Sequence, residues 1–289
     1  MQFSIRPARL SDQLAIEEFT ADTFDWGDYV GDVFPDWIAD PSGQVLVATD
    51  DADRAIAVGR GLMLSADELW LQGARVREDW RRKGIASTVG ESIISWSEEQ
   101  GAKVARLAVE EWNVRAQRQV ENIDFRIVSR WMFANRSVDS SGPMAPSNGG
   151  QRAKARRKLQ QAPSAEAEPA WVSWRSGPLV GPARGLHVSR WRWSLLHLAD
   201  LQQAGKRGEL WSSQAGWAHV RREEDRLMTG WLECGPDDGS DMIRSLVDLA
   251  LDAGAQHLQV TIPAVVWLED ALLSLNFDLA AMLIYERAM

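Results

Sequence analysis

Hydrophobic and polar positions in the first half of the chain alternate with the period of a strand in some stretches and of a helix in others. Residues 3–6 and 68–76 alternate as strands do, whereas Leu14, Ile16 and Phe19 mark one face of a helix. The predicted order is a strand, two helices, three strands, a helix, a strand, a helix and a strand, at 3–6, 11–23, 28–38, 45–48, 55–64, 68–76, 87–100, 103–109, 113–122 and 125–133. This order predicts a mixed α/β layer.

The second half repeats the end of this pattern at a constant offset of 153 residues. Residues 92–103 align with residues 245–256, and each predicted helix stops at a glycine, Gly101 or Gly254, before another strand. An internal duplication explains this better than chance similarity between two α/β units does. We therefore expect two domains, at 1–136 and 169–289.

Residues 137–168 have the composition of a flexible linker, rich in Ser, Gly, Pro and Ala and poor in large apolar side chains. The basic run from Arg152 to Lys158 lies inside this segment. A solvated linker helix is a simpler interpretation of the run than a binding patch for an anionic partner.

Composition excludes several classes of protein. The 289 residues carry 32 Lys and Arg against 41 Asp and Glu, a formal net charge of −9, which argues against a dedicated nucleic-acid binder. The single cysteine, Cys234, excludes an internal disulfide, and the four histidines show no metal-ligand spacing, so we expect no metal. No apolar run approaches about 20 residues, which predicts no membrane span. The first residues lack the pattern of a signal peptide, so a cytoplasmic protein is expected.

The candidate chemistry lies between a predicted strand and a predicted helix, in the run Arg81-Arg-Lys-Gly84-Ile-Ala86-Ser87. Unpaired N–H groups at a helix start attract anions, glycine allows a ligand to approach the backbone, and the three cations add charge suited to phosphate. The spacing differs from that of the Walker loop and of the dinucleotide-binding loop. The run predicts a diphosphate site, with a capped helix and solvated arginines as the alternative.

Two motifs in the correct order resemble those of the GNAT superfamily of acyl-CoA N-acyltransferases. Residues 81–86 are similar to its Arg/Gln-x-x-Gly-x-Gly/Ala signature, and residues 113–125 to its Asn-x-x-Ala…Glu-x-x-Gly-Phe motif. The resemblance covers residues 2–134. It implies a mixed, mostly antiparallel sheet flanked by helices. It also implies transfer of an acetyl group from acetyl-CoA to a primary amine by direct attack.

The resemblance implies a small-molecule or peptide amine as the acceptor. From charge and hydropathy we expect no nucleic-acid or membrane partner, and we expect a monomer or homodimer. Two alternatives stay open. One is a non-catalytic acyl-CoA-binding or scaffold protein, and the other is an acetyltransferase acting on protein N-termini or lysines.

The resemblance also implies the residues of the cofactor site. The N–H groups of residues 82–87 would hold the pyrophosphate, and the backbone of the strand before them would bind the pantetheine arm and polarise the thioester carbonyl. The predicted set is Ala74, Val76, Arg81, Arg82, Lys83, Gly84, Ile85, Ala86, Ser87 and Asn113. Asp124 replaces the family's glycine, which is harmless if its φ is positive. Val120 stands where many members have the tyrosine that protonates the leaving thiolate.

An attacking amine must be neutral, so a carboxylate is expected nearby to take its proton. Glu68, Glu110 and Glu111 are the candidates, with solvated strand-end carboxylates as the alternative. For the acceptor, the acidic and aromatic run that begins at Asp25 predicts a wall suited to a cationic amine. An amphipathic helix with its acidic face in water is the alternative. The predicted acceptor-binding residues are Trp26, Asp28, Tyr29 and Trp70.

The offset of 153 maps residues 81–86 onto residues 234–239. Asp237 and Asp238 would repel a pyrophosphate there, and Pro236 removes an N–H donor. Asn113 maps onto Val266. We expect the second domain to be a degenerate GNAT-like copy that has no cofactor site and a structural role.

Overall fold

The computed structural model describes residues 2–21, 23, 27–138 and 158–289. Their contacts divide the chain into two compact units that do not follow chain order. The first unit consists of Met1–Val109, Asn113–Ile127 and Ile284–Met289. The second consists of Glu110–Trp112 and Val128–Leu283. Within the described part of the chain, no helix combines the length and the apolar composition that crossing a membrane requires.

The first unit is a sheet with helices packed on it. Its strands are β1 (Ser4–Pro7), β2 (Gly43–Thr49), β3 (Ala55–Met63), β4 (Glu68–Val76), β5 (Val104–Glu110) and the end of β14 (Asp278–Ala288). Its helices are α1 (Gln13–Thr20), α2 (Val30–Ala39), α3 (Ile85–Glu99) and α4 (Val114–Glu121). The strand order is β1-β2-β3-β4-β5-β14. Neighbours from β1 to β4 are antiparallel, and β4 and β5 are parallel.

Small residues of the sheet face large side chains of the helices that pack on it. Ile16 of α1 packs with Val30, Phe34 and Trp37 of α2 in one buried cluster. Glycines of β3 allow α3 to approach closely, because a Cβ at Gly61 would lie 2.4 Å from a side-chain carbon of Ile93. Burial of these apolar side chains is the main source of the unit's stability.

A buried ion cluster joins three strands of the first unit. Arg106 of β5 forms an ion pair with Glu68 of β4, and both side chains are 5% exposed. The Nε atom of Arg106 also donates to Glu286 of β14 over 2.8 Å. Arg287 donates to Glu91 of α3, and the amide of Met289 donates to the carbonyl of Lys103. Residues 284–289 are therefore a bonded part of the first unit's sheet.

The second unit contains the remaining elements. Its strands are β6 (Arg126–Ser137), β7 (Gln160–Gln161), β8 (Leu186–Ser189), β9 (Arg192–Leu195), β10 (Leu210–Ser213), β11 (Gly216–Glu223), β12 (Arg226–Glu233), β13 (His257–Pro263) and the start of β14. Its helices are α5 (Ala167–Ser176), α6 (Val180–Ala183), α7 (Leu198–Lys206), α8 (Gly239–Asp252) and α9 (Val266–Ser274). The main sheet runs β14-β6-β13-β12-β11-β10-β7, and β8 and β9 form a separate hairpin.

The predicted fold class is confirmed as a mixed, mostly antiparallel sheet flanked by helices. The predicted correspondence between the halves has local counterparts: β13 spans the residues of β5 shifted by 153, and Gly101 and Gly254 both have positive φ. Asp124 has φ +65°, the condition under which its replacement of glycine was expected to be harmless. The duplication itself stays a prediction.

The predicted linker, residues 137–168, is described only in part. Gln160–Gln161 pairs with β10, and Ser164–Glu166 forms a turn of 3-10 helix that leads into α5. Residues 139–157, which hold most of the basic run, lie outside the described residues. The domain boundaries at 136 and 169 stay predictions.

Replacement of Arg106 by glutamine removes the arginine that pairs with the buried carboxylate of Glu68. We expect the free energy of unfolding to fall by about 3–5 kcal/mol, the usual effect of breaking a buried pair. Arg54→Gln is the control, because Arg54 pairs with Glu18 while both side chains are 52% exposed, and it should lose less than about 1 kcal/mol. Urea unfolding followed by tryptophan fluorescence measures both. Equal small losses would contradict a buried role for Arg106.

Candidate functional site

The parallel ladder between β4 and β5 is short. It joins Glu68–Trp70 to Val104–Arg106, although β4 continues to Val76 and β5 to Glu110. The two strands therefore separate toward their carboxyl ends. Backbone groups on the facing edges of two separating strands are free to bind an extended ligand.

A β-bulge lies in β4 beyond this ladder. Gln72 pairs with Arg60 and Arg75 with Val58, so Gly73 and Ala74 together oppose the single residue Gly59. Gly73 has φ +70°, as glycine does at the first position of one common kind of bulge. A bulge leaves one residue of the ladder unpaired and bends the strand that carries it. Ala74 is exposed, and Val76 is half-buried at the end of the strand.

The start of α3 is open. Gly84 caps the helix with φ +77°, and a Cβ built there would meet no atom within 4 Å. No side chain caps the helix, and among the described residues no hydrogen bond is formed by the amides of Ile85, Ala86 and Ser87. Three outward N–H groups at the positive end of a 15-residue helix provide the donors that a pyrophosphate requires.

The three cations before Gly84 have different roles in the structure. Arg81 folds back so that its Nε atom donates to the carbonyl of Val76 over 3.0 Å, which fixes the loop to the end of β4. Lys83 donates to the carbonyl of Asp79 and lies 4.7 Å from the ring centre of Trp80. Arg82 has φ +64° and is exposed. Arg81 therefore shapes the loop, while Arg82 and Lys83 place charge at its surface.

Asn113 is the N-cap of α4, and its side-chain oxygen accepts a hydrogen bond from the amide of Ala116 over 3.1 Å. This contact explains the residue type by helix capping alone. The structure also brings a tyrosine to α4 from far along the chain. Tyr285 of β14 is buried and donates its hydroxyl proton to Glu121 over 3.1 Å. Burial and the bond to Glu121 raise the pKa of this phenol to about 12.

The three predicted catalytic carboxylates differ in their surroundings. Glu68 lies buried at the closed end of the β4–β5 ladder, paired with Arg106. Glu111 accepts two hydrogen bonds from Arg130, which hold its pKa below the usual value. Glu110 ends β5, and among the described residues its carboxylate has no hydrogen bond or ion pair. Within the part of the chain that the structure describes, the lack of a partner distinguishes Glu110 from the other two candidates.

The predicted acceptor residues are only partly brought together. Asp28 has a fully buried side chain paired with Arg75 of β4, and Tyr29 beside it is 50% exposed. Trp70 is 3% exposed in the core, so it does not present a surface to an acceptor. Trp26 lies outside the described residues. Asp28 and Tyr29 thus lie near the β4 bulge, while the structure places Trp70 away from solvent.

In the second unit, the loop that corresponds to residues 81–86 is different. Pro236–Asp238 forms a turn of 3-10 helix, and α8 begins at Gly239. A Cβ at Gly239 would lie 2.5 Å from the ring of Trp267, so an indole covers this helix start. Two carboxylates and a bulky ring occupy the place where the first unit has open amides.

Sequence reasoning missed a polar cluster in the second unit. His187 is buried, and its Nε2 atom lies 3.2 Å from the hydroxyl of Ser194 and 4.0 Å from a carboxylate oxygen of Asp200. Burial lowers the pKa of His187 to about 4, which keeps the ring neutral. Both groups approach the same nitrogen, so the cluster lacks the geometry of a catalytic triad. No group of three His, Cys, Asp or Glu among the described residues could hold a metal ion.

Comparison with known families bears on the first unit. Residues 12–125 match the model of the Acetyltransferase (GNAT) family. The match confirms the resemblance that the two motifs indicated for this stretch, and acetyl-CoA is the co-substrate of that family. No protein with a curated description matches the sequence.

Solved structures extend the similarity to the whole chain. A GCN5-related N-acetyltransferase from Sphaerobacter thermophilus matches with a TM-score of 0.66 at 13% identity, covering 99% of this chain and 95% of that one. Another from Kribbella flavida matches with a TM-score of 0.52 at 9% identity, covering 99% of this chain and 71% of that one. A glucosamine N-acetyltransferase region of a fungal β-N-acetylglucosaminidase matches with a TM-score of 0.68 at 10% identity, covering 99% of this chain and 38% of that one. These similarities show the fold.

Alanine at Gly73 should destabilise the protein strongly. The residue has φ +70°, and the new Cβ would lie 2.3 Å from the ring of Trp37, so backbone strain and overlap add. We expect a loss of about 3 kcal/mol in the free energy of unfolding. Gly84→Ala is the matched control, since its φ is +77° and its Cβ meets nothing; about 1 kcal/mol is expected. Urea denaturation measures both, and equal losses would show that contact with Trp37 does not fix the bulge.

Proposed function

We propose that the first unit transfers an acetyl group from acetyl-CoA to a primary amine by direct attack. The amine nitrogen forms a bond to the thioester carbonyl carbon, the carbon–sulfur bond breaks, and the sulfur leaves with its electron pair as the CoA thiolate. The amine loses one proton, and the thiolate gains one. Among the described residues, the structure offers no Ser–His–Asp triad or reactive cysteine for a covalent intermediate, because the thiol of Cys234 is buried with a raised pKa.

One observation carries the proposal: the open start of α3 follows the strand that separates from β5. The free amides of residues 85–87 fit a pyrophosphate, and the space beside Gly84 leaves room for it. The edges of β4 and β5 beyond their ladder fit the amide groups of a pantetheine arm. Ala74, at the bulge, is suited to present its N–H group to the thioester carbonyl, where it would stabilise the charge that develops on oxygen. Acetyl-CoA supplies the activated acyl group.

Glu110 is the carboxylate that we assign to accept the amine's proton. It ends β5 on the side where the strands have separated, and it has no competing cation among the described residues. Glu68 is buried in an ion pair with Arg106 at the closed end of the ladder, and hydrogen bonds from Arg130 lower the pKa of Glu111, which weakens that carboxylate as a base. Glu110 would act directly or through one water molecule.

The proton for the leaving thiolate has no assigned side-chain donor. Val120 is buried in α4, and Tyr285 already donates its hydroxyl proton to Glu121. Water or the product ammonium would return the proton, and a thiolate leaves readily without prior protonation. Val120 is also the observation that favours a second candidate function, an acyl-CoA-binding protein without transferase activity.

The acceptor remains a primary amine of a small molecule or a peptide. The exposed ring of Tyr29 near the bulge suits an organic amine with apolar surface. The second unit is proposed to bind no acyl-CoA, because Trp267, Asp237 and Asp238 occupy the corresponding helix start.

Incubation with acetyl-CoA and a panel of amines and peptides, with thiol release and product mass measured together, separates acetyl transfer from binding without transfer.

Binding of CoA should raise the melting temperature of the protein. At roughly 100 times Kd we expect a rise of about 5 °C or more. Gly84→Glu should abolish the rise, because the new carboxylate would occupy the pyrophosphate space. Gly254→Glu is the matched control, since Gly254 also has positive φ and open space around it but lies in the second unit. An equal response to CoA in both variants would place the site elsewhere.

Glutamine at position 110 should slow acetyl transfer by about 100-fold or more at neutral pH without weakening CoA binding. Glu111→Gln should change the rate little, because the pKa of Glu111 is held low by hydrogen bonds from Arg130 and the group is a poor base. Initial rates of thiol release with a reactive amine compare the two. A larger loss in the Glu111 variant would reverse the assignment.

A further inference from the structure

The residue that follows the β4 bulge makes an unusual set of contacts within the first unit. Arg75 forms a two-point ion pair with Asp28, through its Nε and Nη2 atoms. Its Nη1 atom donates to the carbonyl of Ala74, a bulge residue, over 3.1 Å. One guanidinium group therefore holds both the bulge backbone and the segment before α2.

Asp28 transmits this attachment to the acceptor side. Its side chain is fully buried, and its second function is to accept a hydrogen bond from the amide of Val30 at the start of α2 over 3.0 Å. The guanidinium carbon of Arg75 lies 5.8 Å from the ring centre of Tyr29, and that ring meets Trp37 edge-on at 6.1 Å. Trp37 in turn covers Gly73 of the bulge. These contacts connect the bulge to Tyr29 through Arg75, and connect Tyr29 back to the bulge through Trp37.

The far end of α2 is attached in the same way. Arg60 of β3 forms an ion pair with Asp40, which follows the last residue of α2. The guanidinium carbon of Arg60 lies 5.3 Å from the ring centre of Trp37. Two arginines from inner strands thus hold the two ends of one helix. Arg75 also bonds to the bulge, so it links the start of the helix to the bulge directly, beside the contact of Trp37 with Gly73.

We propose that Arg75 is a positioning residue: by holding the carbonyl of Ala74 it fixes the bulge backbone that also carries the Ala74 N–H group, and through Asp28 it places the Tyr29 ring relative to that backbone. This inference rests on the proposed function. A polarising N–H group acts only when it points at the carbonyl oxygen, and a displacement of about 1 Å can slow a reaction about 100-fold. Loss of Arg75 should therefore impair polarisation and acceptor placement while leaving the pyrophosphate contacts of α3 intact.

The test uses Arg75→Gln and the near-isosteric Asp28→Asn. Arg6→Gln is the matched control, because Arg6 also forms a two-point pair with an aspartate, Asp12, and its side chain has the same 16% exposure as that of Arg75. The probe is an acetyl-CoA analogue in which CH2 replaces sulfur and the ketone carbon is isotopically labelled. Infrared difference spectroscopy reads the carbonyl stretch of the bound analogue.

In the wild-type protein and Arg6→Gln, we expect the stretch to move to lower frequency than in water, since the bulge amide polarises the carbonyl. Arg75→Gln should lose most of this shift and Asp28→Asn part of it, with analogue affinity within about threefold of wild type. The kcat for acetyl transfer should fall about 100-fold in Arg75→Gln and little in Arg6→Gln.

A wild-type frequency in both site variants would overturn the inference and leave the proposed function standing, even if both variants were less stable. If Arg75→Gln does not fold, a wild-type frequency in Asp28→Asn decides against the inference in the same way. Failure of the wild-type protein to bind the analogue would overturn the proposed function, and this inference with it.

Discussion

Three parallel residue pairs hold β4 to β5, and the candidate site depends on the point where they stop. The ion cluster of Glu68, Arg106 and Glu286 lies at the paired end and resists separation there. Beyond it, the strands diverge, β4 bulges and α3 begins without a cap. A low-dielectric interior makes this buried attraction strong while geometry is maintained, so the closed end acts as a fixed support for the open one.

The two units show how one element order can serve different purposes. Each contains two parallel strands joined by a helix, and each helix follows a short 3-10 turn. In the first unit that helix starts at Ile85, and its cap residue Gly84 has open space around it. In the second it starts at Gly239 beneath Trp267. The two helix starts also differ in backbone conformation, because Gly84 has φ +77° and Gly239 has φ −56°.

Sequence patterns predicted the first unit well because its elements are amphipathic and end at recognisable residues. The bounds of β4 agreed residue for residue, and the motif from Arg81 to Ala86 indicated both the loop and the family. Long-range partners could not be predicted. Nothing local to Glu68 indicates that Arg106 buries it, and nothing near Val120 indicates that Tyr285 reaches the same helix. Short strands such as β7 were missed because two residues carry no periodicity.

The attachment of residues 284–289 to the first unit has a consequence for how the chain is made. During synthesis these residues leave the ribosome only after nearly all of the second unit has emerged. Until then, the edge of β5 that neighbours β14 has no partner strand. An unpaired strand edge invites association with other chains. Until Glu286 arrives beside Arg106, the nascent protein carries this hazard, and a chaperone that shields β5 would protect it during synthesis.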